Sequence, residues 1–515
     1  MKIKIDKFTL IFFAVLIVSS FIRLSNLDSV GYTTDEPVII TAGIKHFLNN
    51  PYSVSLYDMA TPGGQWPIGL SIVLLSNRDF SPIRNYPQMD YASIDVNRDL
   101  IKGLEFAARL PSALAGIISG VVIYFLVKNM YGKKAGLISF ALFSFNPLII
   151  DYSRVALLEI FQILYTVLAL LFFYLWLEKK KLQDLVISSV FLGLIAAAKL
   201  NGLVLIPLFA AFSTIAGIKM LKKELSFDVV VILKNILIIA GVSALTLGII
   251  FGFDFSVPYK VYQYYNLAGG AGIHFVLFEL LYDSLFFNNP LLWILVASSL
   301  YMIYKEIKNI KLNDAFSVFL LVLLLFSGFF EAHESIKRGI QYSMLFFIIA
   351  GRVFSDNNKI KYASKFWLII SLVIIISDLA LTAYYFPNMG LAKNVLCTSQ
   401  ECQDGHNLRN FDSRIVGEYL NSLNGVNVYD PVGTTGLIGF YVNNNVNYIN
   451  AGIAKLMLGT NTCPSFEILK NSSITHVIGS GECVSSINNS LARCPYNSIS
   501  VKNYEMTKVY DIRSC

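Results

Sequence analysis

Long apolar runs recur through the first three quarters of the chain, and they constrain its fold more than any other feature. A helix needs about 20 mostly apolar residues to cross the ~30 Å hydrocarbon core of a bilayer. Only 15% of the 515 residues are charged, whereas an average soluble protein has about 25%. The composition therefore excludes one large soluble enzyme and predicts a polytopic α-helical membrane protein. Eleven spans are predicted, near 8–24, 106–127, 135–150, 158–177, 185–199, 202–218, 229–252, 290–304, 314–330, 340–354 and 366–386.

Lysine clusters lie on every second connection between the predicted spans. They are Lys2/Lys4/Lys7, Lys128/Lys133/Lys134, Lys179/Lys180/Lys181, Lys219/Lys222/Lys223, Lys305/Lys308/Lys311 and Lys359/Lys361/Lys365. Short loops rich in Lys and Arg stay in the cytoplasm, so eleven spans put the N-terminus inside and the C-terminus outside a cell membrane. The first run could instead be a signal peptide. No small-residue cleavage site follows it before Arg23, so we interpret it as an uncleaved helix.

All six cysteines lie beyond the last predicted span. They are Cys397, Cys402, Cys463, Cys483, Cys494 and Cys515. An even set confined to one segment is typical of an oxidising compartment, so we predict disulfides rather than metal ligands. We expect Cys397 to pair with Cys402, although sequence alone does not choose among the pairings. This placement independently predicts an extracytoplasmic tail.

A change of composition near residue 388 divides the chain into two predicted domains. Residues 1–387 form the membrane domain, with a long first external loop at 25–105, and residues 388–515 form a soluble domain rich in Asn, Ser and Gly. Alternating helix and strand signals predict a small α/β fold for the second domain. Acceptor binding and a structural cap both remain open as its role.

The first external loop carries two adjacent carboxylates, Asp35 and Glu36. Because Pro37 follows them, they could simply be solvated acids at a helix start. The alternative is a general base at the membrane surface, where partial burial would raise a carboxylate pKa and suit it to accept a hydroxyl proton. The next segment, Val38–Phe47, is apolar enough to form an interfacial helix.

Further charged groups fall on the same predicted outer side. Arg154 and Glu159 could close the turn between the third and fourth spans as an ion pair. Lys199 stands alone between two apolar runs, where it could snorkel to the interface or face an anionic head group. A later outer loop contains His333, Lys337 and Arg338. Acids and cations on one face suit a reaction on a phosphate-bearing lipid, in which a carboxylate activates a hydroxyl and cations stabilise the departing phosphate.

Several motifs occur in a fixed order along the membrane domain. They are Phe106–Gly116, Tyr131–Gly136, Asn146-Pro147, Ser153-Arg154, Glu159 and Gly193–Gly202. Together they resemble the membrane core of dolichyl-phosphate-mannose protein mannosyltransferases, which share the GT-C glycosyltransferase class with lipid A aminoarabinose transferases. The resemblance covers residues 30–210 well and 338–342 loosely. It implies a GT-C fold and the inverting transfer of one hexosyl or pentosyl group from a polyprenyl-phosphate donor on the outer face.

The resemblance also implies roles for individual residues. Asp35 would be the catalytic base, with Glu36 as its support or substitute. The residues implied to bind the donor phosphate are Lys199, Lys337 and Arg338. The residues implied to orient or bind the acceptor are Arg154, Glu159, Gln65, Trp66 and His333. The segment Thr61–Gly69 lacks the histidine usual in the family at this place; its Gln65 and Trp66 could pack against sugar, or the segment could be a turn anchored by Pro67.

Two other functions stay open. An oligosaccharyltransferase would share the class but should carry a Trp-rich motif in its external domain, and all four tryptophans lie outside the tail. A carrier or flippase of lipid-linked sugars should show inverted repeats and helices broken at the midplane, and neither is evident. We expect no cofactor, and a divalent metal is not favoured. The expected partners are the bilayer, the lipid-linked donor and a hydroxyl acceptor on protein, lipid or glycan, with no nucleic acid.

Overall fold

The computed structural model describes residues 6–28, 32, 36–48, 62–83, 99–221, 229–254, 259, 290–305, 312–329, 336–355, 361–385, 412–423, 425–430, 442–443, 445–450, 465–478, 491, 494–499 and 507–515. Up to residue 385 the regular elements are helices. They are α1 (Lys7–Leu24), α2 (Glu36–Phe47), α3 (Pro62–Leu75), α4 (Glu105–Tyr131), α5 (Lys133–Phe145), α6 (Pro147–Ser153), α7 (Glu159–Lys179), α8 (Leu182–Ala198), α9 (Leu205–Leu221), α10 (Val229–Ile250), α11 (Pro290–Lys305), α12 (Leu312–Phe329), α13 (Ile336–Ala350) and α14 (Lys361–Tyr385). One continuous cluster of buried apolar side chains draws on α2 through α14.

Each of the eleven segments predicted to span the membrane is largely helical. Within the described residues, four helices are long and apolar enough to cross a bilayer: Lys7–Leu24, Glu105–Tyr131, Glu159–Lys179 and Val230–Ile250. The pair α5 and α6 passes the same criteria as one bent span. Five further apolar helical segments are shorter, at 10–17 residues. A membrane protein is therefore supported, while the count of eleven spans stays a prediction.

The predicted third span, 135–150, is bent by 64° between α5 and α6. Pro147 has no backbone N–H, which removes one helical hydrogen bond at this point. Asn146 caps α6 by accepting a hydrogen bond from the backbone N–H of Ile149 at 3.2 Å. The fully buried Arg23 of α1 donates to the carbonyl of Ser144 at 2.9 Å and to Ser153 Oγ at 3.1 Å. Arg23 therefore ties both sides of the break together.

In the described part of the loop at 25–105, two helices, α2 and α3, pack against the helix bundle. The helix expected at Val38–Phe47 is present as α2, but its apolar residues, such as Ile39 and Ile44, are buried inside the protein. The turn considered at Pro67 is wrong, because Pro67 lies inside α3. A proline leaves the carbonyl four residues earlier without its helical partner, and here the hydroxyl of Tyr165 donates to the Gly63 carbonyl at 2.9 Å.

Among its described residues, the C-terminal part has a mixed five-stranded sheet and two helices, α15 (Asp412–Ser422) and α16 (Phe466–Asn471). The strands are β1 (Val426–Asp430), β2 (Val446–Asn450), β3 (His476–Ile478), β4 (Tyr496–Ile499) and β5 (Thr507–Asp511), in the order β2-β1-β3-β5-β4. β1 pairs in parallel with β2 and β3, whereas β5 pairs antiparallel with β3 and β4. Helices alternating with parallel strands give this part the α/β character expected from its sequence.

A disulfide joins Cys494, next to β4, to the C-terminal Cys515. It ties the chain end to the sheet edge, where Lys470 of α16 also donates to the Cys515 carbonyl at 3.1 Å. The predicted Cys397–Cys402 pair, together with Cys463 and Cys483, lies outside the described residues. The placement of the sheet outside the cell stays a prediction.

The contact between α2 and α3 depends on Gly43 and Gly69, whose backbones touch. A side chain on Gly69 would overlap the Gly43 carbonyl oxygen. We expect Gly69→Ala to destabilise the protein by about 1–3 kcal/mol through overpacking, measured as a lower midpoint of thermal unfolding in detergent. Gly241→Ala is the matched control, since an added methyl there meets no atom within 4 Å. An equal loss of stability in both variants would contradict the close-contact explanation.

Candidate functional site

The first residue of α2, Glu36, forms a buried bidentate ion pair with Arg109 of α4. Arg109 Nε donates to Glu36 Oε1 and Arg109 Nη2 to Glu36 Oε2, each at 2.7 Å. Both side chains are almost completely buried, at 0% and 2% exposure. A buried carboxylate and guanidinium are tolerated when they are paired and hydrogen-bonded in this geometry. The pair therefore fastens the start of α2 to the first turns of α4.

Two further hydrogen bonds make the same pair a junction of four segments. The backbone N–H of Ala156 donates to Glu36 Oε1 at 2.7 Å, which attaches the turn between α6 and α7. Arg109 Nη1 donates to the Leu27 carbonyl at 2.8 Å, which attaches the end of α1. Both Glu36 oxygens accept charge-assisted hydrogen bonds from Arg109. This carboxylate therefore has a structural role, because it holds the neighbouring segments in place.

Tyr32 anchors the other end of the segment that contains Asp35. Its buried hydroxyl donates to the Ile101 carbonyl at 2.6 Å and accepts from the Leu104 N–H at 3.1 Å. Asp35 itself lies outside the described residues. Tyr32 and Glu36, which flank residues 33–35 in the sequence, are therefore both bound near the start of α4.

Arg154 stabilises the end of α1. Its guanidinium donates to the carbonyls of Ile22 and Ser25, each at 2.6 Å, and of Asn26 at 3.2 Å. A cation that binds the last carbonyls of a helix also interacts favourably with the helix dipole. The Arg154–Glu159 ion pair considered from sequence is therefore wrong, because the Glu159 carboxylate has another partner.

That partner is Lys199, whose Nζ lies 3.4 Å from Glu159 Oε1. Lys199 ends α8, and the 3-10 segment Leu200–Val204 follows it, so the interruption expected between two apolar runs is present. The Lys199 side chain keeps 25% of its surface exposed, whereas Glu159 keeps 9%. The cation is therefore held on one side by an acid and is accessible on the other.

The first turn of α3 packs directly beside this Lys199–Glu159 pair. A side chain added at Gly63 would lie 2.8 Å from the backbone nitrogen of Ala198, and one added at Gly64 would lie 2.6 Å from Leu158 Cδ2. Ala198 and Leu158 immediately precede Lys199 and Glu159. The glycines thus bring the segment that contains Gln65 and Trp66 next to the pair.

Gln65 and Trp66 differ in their access to the surface. Gln65 is fully buried, and its Oε1 lies 2.8 Å from His46 Nε2 of α2. Burial lowers the pKa of His46, and the hydrogen bond to Gln65 opposes this shift. Trp66 is 36% exposed and its ring stands edge-on to the His46 ring. Of the two, Trp66 offers the accessible surface.

The loop before α13 and the first turn of that helix contain the last three residues predicted for the site. His333 lies outside the described residues, as Asp35 does. Lys337 and Arg338 lie in the first turn of α13, but their side chains are outside the described part of the structure. In the described chain, no group of three or more His, Cys, Asp or Glu side chains is arranged to hold a metal ion.

Two buried arginines organise the site although no role was predicted for them from the sequence. Arg109 belongs to the motif Phe106–Gly116, and Arg23 ends the first predicted span. The sequence signal for both residues was a cation in an apolar segment. Such a placement is energetically costly, so the cation usually faces a partner or a cavity. The acid that binds Arg109 is 73 residues away and the Ser144 carbonyl that binds Arg23 is 121 residues away, so spacing could not identify these partners.

Comparison with known proteins gives a consistent fold. A family model described as dolichyl-phosphate-mannose-protein mannosyltransferase matches residues 87–243. No curated protein matches the chain. ArnT from Cupriavidus metallidurans in the apo state matches with a TM-score of 0.55 and 12% identity, over 98% of this chain and 98% of that chain.

The Archaeoglobus fulgidus oligosaccharyltransferase, in a complex with Zn and sulfate, matches with a TM-score of 0.52 and 13% identity, over 97% of this chain and 73% of that chain. The archaeal oligosaccharyltransferase AglB from the same organism, with an inhibitory peptide and a dolichol-phosphate, matches with a TM-score of 0.51 and 11% identity, over 99% and 74%. These similarities confirm the GT-C glycosyltransferase fold that the motifs implied.

The buried Glu36–Arg109 ion pair predicts how substitutions change the free energy of unfolding. We expect Arg109→Met to destabilise the protein by about 3–5 kcal/mol, because it leaves the Glu36 carboxylate buried without its cation. The measurement is the unfolding midpoint in detergent. Glu36→Gln in the Arg109→Met background should recover part of the loss, since it removes the uncompensated charge. A double variant no more stable than Arg109→Met would contradict the pairing argument.

Proposed function

We propose that the protein is a membrane glycosyltransferase that moves one sugar from a polyprenyl-phosphate donor to a hydroxyl acceptor, with inversion, on the extracytoplasmic face. The observation that carries the proposal is the GT-C fold, together with the buried hydrogen bonds of Tyr32 and Glu36, the described residues on either side of Asp35 in the sequence. A catalytic group must be held within a fraction of an ångström of its productive position, which rigid supports provide. Glu36 is then a positioning residue and Asp35 the group that meets substrate.

In the proposed reaction, Asp35 takes the proton of the acceptor hydroxyl while the hydroxyl oxygen attacks the anomeric carbon. The bond between that carbon and the phosphate oxygen breaks, and polyprenyl phosphate leaves with the electron pair. Attack from the face opposite the leaving group inverts the anomeric centre. The reaction needs stabilisation of negative charge on the phosphate, and preorganised cations supply it.

Lys199 is the proposed cation for the donor phosphate, with Lys337 and Arg338 as further ligands. Glu159 orients the ammonium group from one side and leaves the other accessible. The break after α8 places this cation at a helix end, where a lipid phosphate at the interface can reach it.

The acceptor is proposed to enter beside the first turn of α3. Trp66 offers an accessible aromatic face of the kind that packs against sugar or apolar surface. Gln65 fixes α2 to α3 through His46 and orients this face. Arg154 positions the end of α1, and His333 is proposed to contribute from the later outer loop.

The proposed topology has a cytoplasmic N-terminus and an extracytoplasmic domain at 388–515 that carries disulfides. Lysines at the predicted cytoplasmic ends lie over aromatic rings. Lys180 Nζ is 5.1 Å from the Trp176 centroid and Lys305 Nζ is 4.7 Å from the Tyr301 centroid. Aromatic rings and snorkelling lysines are typical of a membrane–water interface.

An oligosaccharyltransferase-like reaction is the second candidate, because the A. fulgidus oligosaccharyltransferase shares the fold. That reaction would move a whole glycan to an asparagine amide. Transfer of a single labelled sugar to a hydroxyl, with no transfer to a sequon peptide, would separate the two.

The catalytic assignment predicts the effect of Asp35→Asn. With a panel of radiolabelled polyprenyl-phosphate monosaccharides and protein in lipid, we expect one donor to be turned over by the wild type. Loss of the base should lower turnover about 10²–10⁴-fold with little change in donor affinity. Asp79→Asn is the matched control, because this acid of the same loop accepts only from Ser81 among the contacts of the described residues. Full activity in Asp35→Asn would reject the assignment.

Lys199→Ala should affect both donor binding and chemistry. Removing one charge-stabilising donor commonly lowers turnover about 10²–10³-fold, and the donor KM should rise because ground-state phosphate is also bound. The steady-state parameters kcat and KM for the donor measure both effects. Lys180→Ala is the control, because Lys180 follows the end of α7 opposite Glu159. A similar loss of turnover in Lys180→Ala would mean that Lys199 acts only through stability.

A further inference from the structure

The C-terminal part carries a sequence pattern that the proposed reaction does not use. Asn471-Ser472-Ser473 is a sequon, the Asn-x-Ser or Asn-x-Thr pattern, with x other than proline, that accepts N-linked glycans. In the whole sequence the pattern begins at two asparagines, Asn471 and Asn488, and both lie within the segment 388–515. Asn488 lies outside the described residues, so the structure shows the surroundings of the Asn471 sequon alone.

The Asn471 sequon lies at a surface turn. Asn471 is the last residue of α16, and Ser472 and Ser473 form the turn that leads toward β3. The N–H of Ser472 donates to the Ile468 carbonyl at 3.0 Å. Ser473 has a φ of 61°, the left-handed conformation in which many helices end. The chain therefore turns sharply here, and the side chains of Asn471 and Ser473 are exposed.

Buried apolar residues on both sides of the turn hold it to the sheet. Leu469 and Ile474 are 0% and 4% exposed, and they pack in one cluster with Tyr429 and Val477. The N–H of Ile474 also donates to the Leu469 carbonyl at 3.1 Å. The sequon is thus presented by a packed part of the protein and remains outside its core.

The two side-chain groups that define a sequon are both available. Within the described residues, neither the Asn471 amide nor the Ser473 hydroxyl forms a hydrogen bond. Other asparagine side chains of the same part are engaged. Asn427 Nδ2 donates to the Ser473 carbonyl at 2.9 Å, and Asn421 Oδ1 accepts from the Asn443 N–H at 2.7 Å. A glycan on Asn471 would therefore displace no hydrogen bond of the described structure.

The disulfide between Cys494 and Cys515 indicates the compartment. Disulfides form and persist in oxidising, extracytoplasmic compartments, and N-linked sequons are used in secreted protein segments. Lys470, the residue before Asn471, donates to the Cys515 carbonyl at 3.1 Å. The sequon and the disulfide therefore lie on neighbouring parts of the same surface.

We propose that Asn471 is an N-glycosylation site, modified by a separate oligosaccharyltransferase that uses a lipid-linked glycan. Asn471 Nδ2 attacks the anomeric carbon of the glycan and loses one proton to a base of that enzyme. The bond between the anomeric carbon and the lipid phosphate oxygen breaks, and the lipid phosphate leaves with the electron pair. This modification goes beyond the proposed transferase activity and rests only on the extracytoplasmic placement of 388–515 in the proposed topology.

The test is peptide mass spectrometry of the full-length protein purified from the membranes of its source cells. Cleavage after Lys470 and after Glu482 isolates residues 471–482 and separates the two sequons. We expect this peptide to carry the added mass of a glycan in the wild type. Asn471→Gln should abolish the added mass, because the amide that forms the bond to the glycan is no longer in a sequon.

Two further variants separate N-glycosylation from other modifications of this peptide. Ser473→Ala should also abolish the added mass, because it deletes the hydroxyl that the sequon requires while Asn471 remains. Ser472→Ala is the matched control and should keep the added mass, since the middle residue needs only to differ from proline. Added mass that persists in Asn471→Gln or Ser473→Ala, or that is lost in Ser472→Ala, would overturn the site.

The topology is measured in parallel with a membrane-impermeant amine reagent added to intact cells. Labelled lysines in the segment 388–515, together with an unmodified wild-type peptide, would overturn the site and leave the extracytoplasmic placement standing. An unlabelled segment with an unmodified peptide would overturn both. Asn471→Gln should transfer sugar as fast as the wild type, so a failed modification is distinguishable from a failed transferase proposal.

Discussion

The ion pair between Glu36 and Arg109 holds together one end of the helix bundle. Two charges in an apolar interior are stable only with near-ideal geometry and with their remaining groups hydrogen-bonded. Here the Leu27 carbonyl and the Ala156 N–H complete the set. The pair therefore joins α1, α2, α4 and the turn before α7 at one point. A shift of any of these segments would leave a charged group buried without its partner. The energetic cost of such a shift makes the arrangement rigid.

This rigidity extends to the helices α2 and α3 of the loop at 25–105. They pack through the glycine contact at Gly43 and Gly69, and the first turn of α3 lies beside the Lys199–Glu159 pair. The fourteen residues of α3 span ~20 Å. The start of α2, held by the Glu36–Arg109 pair, and the Lys199 cation are thus connected through one packed pair of helices.

Sequence reasoning succeeded where local physics decides the outcome. The apolar runs predicted helices, and each of them is largely helical, because the apolar content and length of a segment limit what it can form. The break after Lys199 also follows from local pattern, because a lone lysine separates two apolar runs there. Sequence reasoning failed where a residue distant in the sequence offsets the effect of a local feature. Pro67 predicted a turn, but Tyr165 satisfies the carbonyl that proline frees, so the helix continues.

The sequence alone determined that this chain is a helical membrane protein, since hydropathy and composition are properties of short segments, and its motif order determined the GT-C resemblance. Only the tertiary structure decided which charges meet. Arg154 pairs with the carbonyls of α1, and Glu159 with Lys199. Glu36 belongs to Arg109, 73 residues away. Such pairs are set by how helices pack, because a buried charge takes whichever partner the packing brings within hydrogen-bonding distance.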